Sequence, residues 1–143
     1  MMKIKNKERG QSLVELAISL TILLYLLSGA VEFGIAFFQF VQLRDAAQEG
    51  ALFGSINPAD LAGIELRARS ASDSPIDLTD TTAVQVDIDP IPSGANCEGV
   101  GNAIEVTVSF DHDVFMPFMS TFIGDKIPLS ASVTDTILSP PCP

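Results

Sequence analysis

Glu15 stands where a carboxylate is costly, which makes it the first residue to explain. Between Leu13 and Leu43 the only charges are Glu15 and Glu32, and the sixteen residues Leu16–Val31 carry none. A carboxylate inside such a span costs about 2.5–3.5 kcal/mol on insertion scales and is ordinarily found with a partner. The chain holds one means of making that partner. Cleavage after Gly10 would create an amino terminus at Gln11, four residues before Glu15, placing a positive amine and a carboxylate at the same end of one helix. Pairing them, within one subunit or between neighbours, would offset much of the burial cost. That is the chemistry of assembly, not of catalysis.

The other reactive residue types make weaker patterns. Asp111-His112-Asp113 sets the lone histidine between two acids. Alternate side chains of an extended segment face opposite ways, so a solvated turn is expected there and not a metal site. The acids of DLTD (Asp77–Asp80) and DIDP (Asp87–Pro90) lack the spacing of a calcium loop. No Cys/His spacing suits zinc, no glycine-rich loop cradles phosphate, and no nucleophile has a companion base nearby. Catalytic residues, a bound metal and a cofactor are therefore not expected. Cys97 and Cys142 both follow the apolar run. In an oxidising compartment they would pair, and closing that loop would stabilise the fold by about 4 kcal/mol in the chain-entropy model.

What must position Glu15 is a helix. No proline occurs from Gln11 until Pro58, so one helix can run some 45 residues, or about 65–70 Å at about 1.5 Å per residue. Only its first half fits within a bilayer. Lys3, Lys5, Lys7 and Arg9 crowd the first ten residues, which places the N-terminus in the cytoplasm and everything after the span outside. The expected organisation is a leader at 1–10, a long helix at 11–57 with its membrane part at about 13–34, and an extracytoplasmic α+β domain at 58–143. Beyond Glu32 the helix turns amphipathic. Phe33, Phe37, Phe40, Val41, Arg44, Ala47 and Ala51 recur at helical spacing and should face the exterior domain. Ala30 and Gly34 make a four-residue spacing of small residues that lets helices approach closely.

In the exterior domain, Asn57-Pro58 reads as the cap of a second helix that carries Leu61, Ile64 and Ala68 and ends near Ala71. Ser70–Thr82, rich in Ser, Asp and Thr, reads as a surface loop. Alternation predicts a strand at Ala83–Asp89 and another at Ala103–Asp111 with Ile104, Val106, Val108 and Phe110 inward. A third strand carries Leu129, Ala131 and Val133 and reaches Ile137 after a bulge or change of face. Val114–Ile123 is apolar without a clean period and is expected to fold over the sheet and pack in the core. The fold class is α+β, a long N-terminal membrane-embedded helix packed on a small antiparallel sheet.

KNKERG followed by QSLVELAISLTILLYLL resembles the prepilin family, whose short basic leader ends in Gly before a hydrophobic helix with Glu as the fifth residue of the cleaved product. With VEFGIAFF at Val31–Phe38 and LRDAAQEGALFG at Leu43–Gly54, the chain resembles the TadE-like pseudopilins of the tight-adherence (Tad) pilus machinery, from Arg9 to about Gly54. VTVSF and PLSASVTDTI are similar in style to that family's last two strands. The resemblance implies a pilin-like fold and a subunit that is not an enzyme. It also implies cleavage between Gly10 and Gln11 by a prepilin peptidase, and packing against other pilin or pseudopilin subunits through Glu15. One departure concerns Leu16, which follows Glu15 where the major Flp pilins of the same system usually have Tyr. That favours a minor component over the main filament subunit.

Charge narrows the partners further. Residues 44–143 hold four basic side chains against fifteen acidic ones, so the exterior part favours solubility and disfavours nucleic acid or anionic lipid as its partner. Two other readings compete. One is an uncleaved single-pass protein whose exterior domain is a binding or adhesion module. The other is a secreted enzyme released near Ser28-Gly29-Ala30, against which the apolar pattern continues from Ile35 to Leu43 without a turn residue.

Overall fold

The proline-free run forms one unbroken helix. The structure, a computed structural model, describes residues 8–91, 102–116 and 119–138. Helix α1 spans Glu8–Ile56, 49 residues and about 73 Å long at 1.5 Å per residue. From Gly10 to Leu27 every residue is exposed, so the first half of α1 leaves the folded domain as a bare apolar rod. The second half lies along one face of a three-stranded antiparallel sheet in the order β1-β2-β3, formed by Val84–Ile91, Ala103–Asp113 and Lys126–Thr136. Helix α2 (Leu61–Arg69) packs beside α1, and one helical turn, α3 (Ser120–Ile123), joins β2 to β3. The architecture is the α+β one expected, a long N-terminal helix on a small antiparallel sheet.

The face that α1 buries differs from the one hydrophobicity picks out. Glu32, Ala36, Leu43, Ala46, Ala47, Gly50, Ala51 and Gly54 are buried, while Phe33, Phe37 and Arg44 face outward. Size explains the difference. The sheet and α2 come so near α1 that a Cβ on Gly54 would stand 3.1 Å from methyl groups of Ile104 and Ile64. One on Gly50 would stand 3.2 Å from Ala68 and Val106. Contacts that tight leave no room for a phenyl ring. The displaced Phe33 and Phe37 stack on each other instead, centroids 6.1 Å apart.

Three local expectations are corrected in the same way. Helix α2 begins at Leu61, and its cap is Asp60, whose carboxylate accepts from the Gly63 N–H at 2.9 Å. The side chain thus satisfies an orphan donor that Asn57 was expected to satisfy. Within the polar 70–82 segment Ile76 and Leu78 are buried in the core, because Gln42 of α1 reaches the loop backbone. Its amide donates to the Ile76 carbonyl at 2.8 Å and accepts from the Ile76 N–H at 2.8 Å. Arg69 adds a second staple, donating to the Leu78 and Val84 carbonyls at 2.9 and 3.2 Å. Strand β3, finally, needs no bulge. It pairs in continuous register from Lys126 to Thr136, so Ile137 falls on the same face as Leu129, Ala131 and Val133. Ile137 is buried, and its N–H bonds the Asn102 carbonyl at 2.6 Å.

Candidate assembly helix and membrane-proximal clamp

Gly10, Gln11 and Glu15 all lie on the bare end of α1 and all are exposed. Gln11 and Glu15 share one helix face, where they border the same shallow depression with Val14, Ile18 and Ser19. That is the placement a four-residue separation dictates. Beside Glu15 in that depression stand only Gln11 and apolar or small side chains of its own helix. Helix α1 passes the length and apolarity requirements of a membrane span. Thr21, a polar group in the middle of that span, is satisfied within the helix by donating to the Ala17 carbonyl at 2.8 Å. The small residues Ala30 and Gly34 are also exposed, with nothing standing within 4 Å of where a Gly34 Cβ would be.

The second acid of α1 behaves in the opposite way. Glu32 is 2% exposed and fully coordinated. Its Oε1 accepts from the Phe115 N–H at 3.0 Å and lies 2.7 Å from His112 Nε2, and its Oε2 accepts from the Met116 N–H at 2.8 Å. A carboxylate only accepts, so the shared proton is on the imidazole nitrogen. Three donors from the end of β2 thus close on one acid of α1, 80 to 84 residues away in sequence. The Glu32 contacts fix the sheet's height along the helix. From Gln11 to Glu32 the helix rises about 32 Å, close to the ~30 Å thickness of bilayer hydrocarbon. The clamp therefore closes where a span beginning at Gln11 would emerge.

His112 corrects the expectation of a solvated turn. It is buried, and it extends the inward row Ile104, Val106, Val108, Phe110 by one more alternate position. Asp111 and Asp113 face away from it and are exposed, as the alternation requires. Among the described residues no three metal-ligating side chains converge. The acids of the 77–80 string are taken up by turns. Asp77 accepts from the Thr79 N–H at 3.0 Å and from its hydroxyl at 2.6 Å. Asp80 accepts from the Thr82 hydroxyl and N–H at 2.6 and 2.8 Å, and those bonds hold its carboxyl below the usual carboxylate range. Asp87 and Asp89 project from the outer face of β1. Cys97 and Cys142, expected to pair, lie outside the described residues.

The segment after β2 also departs from its expected place. No residue of α3 is buried. Instead of covering the sheet, the segment reaches back along α1 toward its N-terminus, where Phe122 meets Tyr25 edge to face with centroids 6.4 Å apart. Sequence reasoning missed both this contact and the clamp. The available signals were the parity of His112 and the presence of an acid, Glu32, at the far end of an otherwise apolar run.

With that geometry in hand, the comparisons with known proteins concern the same helix. The family model described as TadE-like protein matches residues 10–52. The match takes in Gly10, Gln11, Glu15 and Glu32 and ends before α2 and the sheet. It agrees with the resemblance read from the sequence over this stretch. No curated protein and no solved structure matches the chain.

Proposed function

We propose that this chain is a minor pilin or pseudopilin of a Tad-type pilus assembly or secretion system, a structural subunit and not an enzyme. The observation that carries the reading is the exposed, apolar, TadE-like first half of α1 with a carboxylate near its start. An anchor needs only apolar side chains. A subunit that must dock in one register against its neighbours needs a polar mark, because an unpaired charge in lipid penalises every misaligned contact. On this reading the N-terminus begins in the cytoplasm, the exterior domain lies across the membrane, and a prepilin peptidase cuts after Gly10. The new amine of Gln11 and the carboxylate of Glu15 then pair within or between subunits. The outward Ala30 and Gly34 lie on surface that neighbouring apolar helices can approach closely.

Gly10→Ala tests the processing step. The variant should enter the membrane but keep its basic decapeptide, running more slowly than the mature wild type on a denaturing gel. A variant of wild-type mobility with an unchanged N-terminal sequence rules out this site. An uncleaved single-pass binding module would show no such difference, because its wild type would keep the decapeptide too.

A further inference from the structure

We propose that the turn joining β2 to β3 is a second membrane contact, entering the outer interface of the same bilayer that α1 crosses. The proposal rests on the reading of α1 as a membrane span and adds a surface which that reading does not require. Val114–Ile123 reads VFMPFMSTFI, with no charged residue, between Asp113 on one side and Asp125 and Lys126 on the other. In an exterior part with so large an acidic surplus, that is the break in polarity. Phe115 is 78% exposed, Phe122 75% and Ile123 45%.

Height along α1 identifies what covers these side chains. Phe122 rests on Tyr25, and the Met119 methyl lies 3.5 Å from where a Cβ on Gly29 would be. A bilayer core of about 30 Å that begins at Gln11 ends near Val31, about 9 Å beyond Tyr25. Phe122 is therefore carried below the level at which the helix emerges, to the depth of about 5–10 Å typical of segments lying in the interface. A soluble partner would have to enter lipid to reach it. Behind the tip an apolar groove of about 410 Å³, lined by Phe33, Phe37, Phe40, Met119, Ile123 and Leu129, continues the same apolar surface from α1 to the turn.

Seven of the nine described backbone donors from Val114 to Gly124 have partners suited to that environment. Buried away from water, each N–H needs a partner. The Val114 N–H bonds the Asp125 carbonyl at 2.9 Å, and those of Phe115 and Met116 are taken by Glu32. Those of Met119, Phe122, Ile123 and Gly124 bond carbonyls within the turn at 2.9 to 3.2 Å. The clamp thus both ties the tip to α1 and removes two donors that lipid could not satisfy.

The chain contains no tryptophan, so a single introduced indole reports its own surroundings. Full-length Phe122→Trp, Leu20→Trp and Leu66→Trp variants would be reconstituted in phosphatidylcholine vesicles that are unlabelled, brominated on the upper acyl carbons, or brominated near the chain ends. Leu20→Trp tests the span, and Leu66→Trp, on the outer side of α2, serves as the distant control. Upper-carbon bromine should lower the emission of the Phe122 variant, and chain-end bromine that of the Leu20 variant, by about two-fold or more, and neither should change the Leu66 variant. Quenching at position 20 with none at 122 overturns the tip contact and leaves the membrane span standing. Absence of quenching at position 20 overturns the span and the tip contact together. Blue-shifted emission at 122 that responds to protein density and not to bromine overturns the lipid contact in favour of a neighbouring subunit. Phe115→Trp repeats the reading if the first variant misfolds.

Discussion

Glu15→Leu is expected to enter the membrane as well as the wild type and to fail in assembly. The substitution removes a charge from an apolar run, so insertion becomes easier by the roughly 2.5–3.5 kcal/mol that a buried carboxylate costs. Assembly responds in the opposite direction. The amine at Gln11 would enter a helix bundle without its counter-charge, and breaking a buried pair by deleting one partner costs about 3–5 kcal/mol. At about 1.4 kcal/mol per factor of ten, each contact of that kind should weaken by a hundredfold or more. Glu15→Asp keeps the charge but shortens its reach, and should fall between the two. Immunoblots of membrane fractions against sheared surface fibres check this. Normal membrane levels with lost fibres are expected, whereas unaltered fibres in the leucine variant would remove Glu15 from the account.

The second large effect belongs to Glu32→Ala, expected to loosen the whole sheet domain from α1. Three donors converge on this carboxylate, two of them backbone N–H groups and the third His112 Nε2–H. Deleting the acceptor strands all three, His112 in a buried position and the two N–H groups in a half-buried one. With each unsatisfied polar group costing about 1–3 kcal/mol, the three together are a large part of the ~5–15 kcal/mol that stabilises a small domain. His112→Ala removes one bond and leaves Glu32 its two backbone donors, so its cost should be smaller, about 1–3 kcal/mol. Denaturation of the detergent-solubilised variants, followed by circular dichroism of the sheet, ranks them. Equal stability of the alanine-32 variant and the wild type would show that the clamp does not hold the domain.

How far the sequence foretold these sites depended on whether the governing interaction was local. Helix α1 was legible because a run without proline and nearly without charge leaves few alternatives. The strands were legible wherever apolar and polar residues alternated, as from Ile104 to Phe110. His112 is lost one step later because the expected strand ends at Asp111 and the flanking acids, Asp111 and Asp113, are assigned to a solvated turn. They were instead the outer half of the same alternation. Its partner lies 80 residues away on α1, and no pattern along the chain encodes such a pairing.

The helix face was misread for a different reason. Hydropathy ranks Phe33 and Phe37 above Gly50 and Gly54, but close approach selects for small size, and the glycines won the sheet while the rings were turned out. The same preference for average polarity hid Ile76 and Leu78 inside a Ser/Asp/Thr-rich segment that Gln42 ties to α1. It also sent Phe115 and Phe122 to an imagined core, when the sheet's inward face was already filled by α1.

The role of Glu15 turns on whether an amine is released beside it. Intact-mass measurement with N-terminal sequencing, on protein taken from its native membrane, addresses that without any substitution. A mature chain beginning at Gln11 is the result the account predicts. A chain that still begins at Met1 or Met2 would leave Glu15 without its partner and contradict it.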